Sequence, residues 1–240
     1  MSLLRSQQGF LFGLGGLAVL VISAHTLAQS LGPQPATKAN LDLPFNAAGE
    51  SSEEENSPGV LSFYGSSYEA STVVFVLDAS GSMSEDGRWP LLIRETSRAI
   101  RELQPDTKFS IVFYESILKV FKHQLVEASD VNRNSGIAFL TTKEAEGGTC
   151  TTLGVLEGLR LLKQSDATHK ALIVTSDGAP DGCGAGPERM QLARIRAKNP
   201  GGRVGIHTLW VGSRNHNEAG TGFLQLLARE NNGTFRFVSH

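Results

Sequence analysis

Short, unbroken apolar runs separated by stretches of helical periodicity constrain this fold more than any other feature. Thr72 to Leu77 reads TVVFVL, and similar runs rich in β-branched residues recur at Phe109 to Tyr114, Ala171 to Thr175 and Val204 to Val211. A strand with one wet face alternates apolar and polar residues. A strand lacking that alternation is covered on both faces, as in parallel sheets flanked by helices. The intervening segments supply the helices. Trp89 to Leu103 has Pro90 near its start and apolar residues at Leu92, Ala99, Ile100 and Leu103, while Leu153 to Leu162 repeats leucine at helical spacing. Pro187 to Ala197 and Gly222 to Glu230 are two further helices. Ile117 to Phe121 follows the second run after a short turn, which predicts an antiparallel edge hairpin, and Thr234 to Val238 forms a last strand. The expectation is a doubly wound α/β fold: a mostly parallel sheet, one antiparallel edge strand and helices on both faces. Ligands of such sheets bind at the carboxyl ends of the strands, near the switch point in strand order.

This pattern occupies residues 69–240, and two segments of different character precede it. In residues 1–28, Arg5 is the lone charge ahead of a strongly apolar stretch, FLFGLGGLAVLVI from Phe10 to Ile22. These are the charged and apolar regions of an export signal, with a small-x-small cleavage site at Thr26-Leu27-Ala28. The charge-free stretch extends to roughly 18 residues, the lower end of a membrane span, so an uncleaved N-terminal anchor is the other reading. Either way Arg5 stays inside and the domain is expected outside the cytoplasm, secreted, periplasmic or membrane-anchored. Gly13-Leu14-Gly15-Gly16-Leu17-Ala18 fits GxGxxA literally, but no strand precedes it and a dinucleotide site is not expected there. Residues 29–68 hold Pro33, Pro35, Pro44, Pro58 and the acidic run Glu53-Glu54-Glu55, with little to bury; they read as a solvated flexible linker. The net charge of −2 and the lack of any basic stripe interleaved with aromatics argue against a nucleic-acid partner.

The chemistry gathers where the strands end. The first apolar run closes on Asp78-Ala79-Ser80-Gly81-Ser82-Met83, an acid followed by hydroxyls at alternate positions on one tight loop. The run from Ala171 ends at Asp177-Gly178, and Gly147-Gly148-Thr149 presents another hydroxyl ahead of a helix. Each piece read singly is ordinary turn chemistry. Together they are a set of hard oxygen donors, suited to Mg²⁺, Mn²⁺ or Ca²⁺ and poorly suited to Zn²⁺.

In these residues the chain resembles the von Willebrand factor A domains that carry a metal-ion-dependent adhesion site. That pattern is DxSxS, then a Thr, then an Asp followed by Gly. Here it reads Asp78-x-Ser80-x-Ser82, Thr149 in GGTCTTLGV and Asp177 in VTSDGAP. The resemblance spans roughly residues 69–240 and implies roles for all five. Ser80 and Ser82 coordinate the ion, Thr149 joins them when ligand is bound, and Asp78 and Asp177 act directly or through water. Magnesium is the implied occupant, and the sixth position receives a Glu or Asp from a protein partner. The family usually has a ligand-responsive helix after the last strand, whereas this sequence runs to His240 just past Thr234 to Val238. The resemblance therefore does not extend to that helix.

Cys150 adjoins Thr149 and Cys183 lies shortly after Asp177, so the pair is either a disulfide stiffening two site loops or two separate small buried residues. Asp181 is either an acid behind the ligands or a solvated loop residue. The six histidines show no HExxH or paired spacing, and Asn232-Gly233-Thr234 fits a glycosylation sequon. No GxSxG elbow or P-loop occurs, and a haloacid dehalogenase-type phosphatase would need an acid where Ser80 stands. The expectation is therefore a metal-dependent protein-binding module and not an enzyme. The alternative is a scaffold subunit of an envelope complex whose metal site is structural.

Overall fold

The computed structural model describes residues 58–181, 183, 184, 186–212 and 218–238. The export leader, the acidic run and most of the linker lie outside the described residues, as do His25, His216 and His240.

In chain order the strands are β1 (Val60–Phe63), β2 (Ser66–Glu69), β3 (Thr72–Asp78), β4 (Lys108–Tyr114), β5 (Leu118–Val120), β6 (Val126–Glu127), β7 (Lys170–Ser176), β8 (Gly205–Val211) and β9 (Phe235–Val238). The helices are α1 (Arg88–Glu102), α2 (Asp130–Leu140), α3 (Thr151–Leu162), α4 (Glu188–Lys198) and α5 (Glu218–Arg229). The main sheet runs β5-β4-β3-β7-β8-β9. Strands β4, β3, β7, β8 and β9 are parallel to one another, and β5 and β6 both pair antiparallel with β4. The doubly wound sheet with an antiparallel edge read from the sequence is the one observed.

Strand β3 is central and fully buried along its length. Its residues alternate between two cores. Val73, Phe75 and Leu77 pack in one with Leu92, Ala99 and Ile100 of α1 and Leu140 of α2. Val74 and Val76 pack in the other with Val155 and Leu159 of α3 and Phe223 and Leu227 of α5. This two-sided burial is why TVVFVL lacks apolar–polar alternation; Thr72, its one polar residue, is itself buried with its hydroxyl 2.9 Å from Ser165 Oγ. From β3 the chain crosses to β4 on one side, and from β7 it crosses to β8 on the other. The gap between the carboxyl ends of β3 and β7 is therefore the switch point where such sheets bind ligands. The parallel register pairs Val76 with Val174, which brings Asp78 level with Ser176 and places Asp177 just beyond.

The structure departs from the sequence reading in places. The end of the expected linker is folded: β1 and β2 form a hairpin across Val60–Glu69. Tyr64 and Gly65 turn the hairpin with φ of 49° and 70°, the double left-handed geometry of a tight two-residue turn. Leu61, Phe63 and Tyr68 are buried in the same core as α1, so the folded domain begins before residue 69. Helix α2 was not anticipated. Most of its apolar residues, Ile137 to Leu140, are contiguous and show no helical period, and it starts on Ser129, whose side chain accepts from the Asn132 amide at 3.3 Å. Helix α5 starts four residues earlier than read, at Glu218 rather than Gly222. Among the described residues no helix is long and apolar enough to cross a membrane.

The hairpin yields a stability prediction. Phe63 has no exposed surface and packs edge-on against Phe75 at 5.5 Å. Phe63→Ala should lower unfolding free energy by about 3–5 kcal/mol in denaturant titrations. A loss below about 1 kcal/mol would mean the segment behaves as linker after all.

Candidate metal centre

Strand β3 delivers Asp78 to the switch point with no exposed surface. Its Oδ1 accepts the Ser80 amide at 2.8 Å, and its Oδ2 lies 2.6 Å from Ser176 Oγ and 3.1 Å from the Tyr114 hydroxyl. Tyr114 has a single hydroxyl hydrogen and a second acceptor, the Thr175 carbonyl at 2.8 Å. The cluster is therefore satisfied whether Asp78 is ionised, with Tyr114 donating to it, or protonated and donating to Tyr114. Burial raises the Asp78 pKa from 3.8 to about 6; hydrogen bonds from Ser176 and Ser80 oppose the rise and the nearby Asp177 charge adds to it.

After Asp78 the chain leaves the sheet through Ser80 and enters a 3₁₀ segment, Gly81–Gly87, pinned by the fully buried Met83. Ser80 Oγ and Ser82 Oγ lie 3.2 Å apart, and Ser82 Oγ donates to Asp177 Oδ1 at 2.7 Å. Neighbouring oxygens around an octahedral Mg²⁺ sit about 3 Å apart, a consequence of its metal–oxygen bonds of about 2.1 Å. The spacing and the all-oxygen donor set fit a hard divalent cation.

The Thr149 loop closes the third side. Gly81 donates its amide to the Gly147 carbonyl at 3.1 Å, and Glu146 donates to the Ala79 carbonyl at 2.8 Å. Gly147 has φ +78°, a left-handed conformation that glycine adopts without a Cβ penalty, and it lies close against the Glu115 carboxylate. Thr149 is buried and its hydroxyl faces Gly178, the residue after Asp177. Asp181 is not merely a solvated loop residue: its Oδ2 accepts the Thr149 amide at 2.9 Å. Cys150 and Cys183 are bridged, with Cα atoms 5.4 Å apart, tying the Thr149 loop to the loop after β7. The bridge closes a 33-residue separation, worth roughly 3–4 kcal/mol by the loop-entropy model. A shallow cavity of about 490 Å³, lined by Glu115, Ile117, Lys119 and Lys143 among others, borders these loops without holding the metal-site oxygens.

Thus Asp78, Ser80, Ser82 and Asp177 are linked through short contacts, and Thr149 stands beside them. Sequence reasoning missed one residue of weight. Arg88, the first residue of α1, is buried and points its guanidinium into the site. Its Nη1 is 2.6 Å from Asp177 Oδ2 and 3.2 Å from the Ser82 carbonyl, and its Nη2 is 2.7 Å from Asp86 Oδ2. Burial works against the charged guanidinium, but the bonds to Asp177 and Asp86 outweigh it and raise its pKa further. A signal was available: a cation at a helix N-terminus opposes the helix dipole and calls for an anion nearby. Tyr114 and Ser176 were missed as well, each lying at a strand end where alternation alone does not show which neighbour it meets.

Comparison with known proteins follows the same lines. The family model described as von Willebrand factor type A domain matches residues 72–239. The inter-alpha-trypsin inhibitor heavy chain H3 of Mus musculus is 28% identical over 178 residues, covering 69% of this chain and 19% of that protein. The chain thus spans about a fifth of the length of the curated relatives it matches. Among solved structures, a von Willebrand factor type A protein from Catenulispora acidiphila superposes with a TM-score of 0.62 at 20% identity, covering 72% of this chain and 39% of that one. The PilB minor pilin from Streptococcus sanguinis superposes with a TM-score of 0.56 at 17% identity, covering 76% of this chain and 58% of that one. At these identities the structural likeness is one of fold.

The buried Asp78 gives a pH prediction. Between the usual carboxylate pKa and about 6, the native protein holds a proton that the unfolded chain has lost. The Asp78 contribution is therefore greatest at low pH, falls as pH rises through this window and levels off above it. In EDTA, the stability of Asp78→Asn relative to wild type should rise by roughly 2 kcal/mol from about pH 4 to about pH 7. A difference independent of pH in denaturant titrations would show that Asp78 titrates normally.

Proposed function

The chain belongs to the von Willebrand factor type A domain family, and from that premise we propose that it is a metal-dependent protein-binding module acting outside the cytoplasm. In this reading Asp78, Ser80, Ser82, Thr149 and Asp177 form a complete metal-ion-dependent adhesion site. Magnesium is the expected ion, with Mn²⁺ or Ca²⁺ as substitutes. The bound ion supplies a strong local positive charge with a coordination place open to an acidic side chain of a partner protein. No catalytic role is assigned: in this reading the site residues bind and orient.

One observation carries this reading. Three loops converge at the switch point and contribute only hard oxygens, with contacts of 2.7 and 3.2 Å between Ser82 and its neighbours Asp177 and Ser80. A structural cluster of buried polar groups needs no second carboxylate and no exposed face. Here two acids lie at the mouth of the sheet, with Ser82 only partly buried. The Cys150–Cys183 bridge supports an extracytoplasmic location, because such bonds persist in oxidising compartments.

Calorimetry on the full chain should detect one Mg²⁺ or Mn²⁺ site, and Asp78→Ala combined with Ser80→Ala should abolish it. With Mn²⁺ bound, acetate serves as a carboxylate probe. It should displace metal-bound water and lower the water-proton relaxation enhancement. Mn²⁺ binding unchanged in the double variant would sink the assignment of the site. Mn²⁺ binding without any response to acetate would leave a structural ion and favour the scaffold reading.

A further inference from the structure

A buried arginine at a helix N-terminus is disfavoured twice, by desolvation and by the helix dipole. Arg88 occupies that place. The chain reaches it through Asp86 and Gly87, both left-handed at φ 50° and 71°, which turn the backbone so that α1 starts beneath the loop of Ser80 and Ser82. The guanidinium then joins Asp177, Asp86 and the Ser82 carbonyl. Its Nε is buried with no acceptor among the described residues. Arg88 is thus oriented by its two terminal nitrogens, and the shorter of its ion pairs, at 2.6 Å, goes to Asp177.

That pair changes the electrostatics of the metal centre. Asp177 has both oxygens engaged, Oδ1 by the Ser82 hydroxyl and Oδ2 by Arg88. Asp177 would otherwise be one of two carboxylates facing the ion. With part of its charge already met by Arg88, Asp177 offsets a divalent cation less than a free carboxylate would.

We propose that Arg88 is an internal counter-cation that shares Asp177 with the bound metal, lowering metal affinity and sparing positive charge for the partner's carboxylate. This rests on the metal reading above and adds to it a residue that sets the strength of the site without touching the partner. Asp86 is exposed and draws the other end of the guanidinium, so the pairing is balanced between a buried acid and a surface one. A lysine at this position would carry the charge but not the fork that spans both acids.

The test uses the metal alone as probe, with full-length wild type, Arg88→Gln and Arg88→Lys. Removing the counter-cation frees Asp177 for the ion, so Arg88→Gln should bind Mg²⁺ at least tenfold more tightly, whereas Arg88→Lys should stay within about threefold of wild type. A folded Arg88→Gln protein with unchanged or weaker affinity would overturn the proposal. Where that variant does not fold, the wild type decides. Saturating Mg²⁺ should shift the Arg88 side-chain ¹⁵N resonance as its pairing with Asp177 is shared, and an unmoved resonance would overturn the proposal. Binding by Arg88→Gln but not by wild type supports the counter-cation while removing the proposed function of the native chain. Binding by neither protein refutes both.

Discussion

Two carboxylates are brought together with little water at the mouth of a parallel sheet, and the surrounding structure answers to that constraint. Asp78 has no exposed surface and Asp177 is almost as deep. Each sits where a central strand ends, because the β3–β7 pairing leaves their carboxyl ends side by side. Buried acids are tolerated when donors or cations meet them. Ser80, Ser176 and Tyr114 meet Asp78, and Ser82 and Arg88 meet Asp177. Removing Arg88 alone would leave a buried charge uncompensated, a loss of about 3–5 kcal/mol by analogy with broken buried pairs. The same arrangement that makes the apo site costly makes a divalent cation favourable there.

Rigid supports hold the loops that carry these groups. Met83 anchors the 3₁₀ segment in the core. Asp181 and the Cys150–Cys183 bridge bind the Thr149 loop to the segment after β7, by a hydrogen bond to an amide and by a covalent link respectively. Thr149 is therefore fixed close to Gly178 by contacts that need no partner. Preorganisation of this kind lowers the ordering cost of ligand binding. It is compatible with a site that binds without a large rearrangement of its own loops.

The sheet was legible in the sequence because its central strands are buried on both faces and show apolar runs without regular polar alternation. The switch point was legible too, since Asp78 and Asp177 directly follow those runs. What escaped notice was written in weaker patterns. Leu61, Phe63 and Tyr68 alternate as a hairpin should, but they stand beside Pro58 and the serine-rich tract and were absorbed into the linker. Helix α2 crowds most of its apolar residues into its last turn and owes its place to the Ser129 cap and to Gly136 and Leu140 on its buried side. Arg88 depends on a left-handed reversal at Asp86 and Gly87, which local composition permits without requiring. Asp181 supports Thr149 across two loops far apart in sequence that the disulfide also joins. Contacts made across loops from distant elements are those that periodicity does not encode.

The central claim is that the oxygens gathered between β3 and β7 hold one divalent cation. The most direct measurement is an anomalous difference map from a crystal of the protein grown with Mn²⁺. The account predicts a single strong peak between the ends of β3 and β7, within bonding distance of Ser80 Oγ and Ser82 Oγ. A map with no peak there, or with manganese only on exposed surface acids, would contradict it.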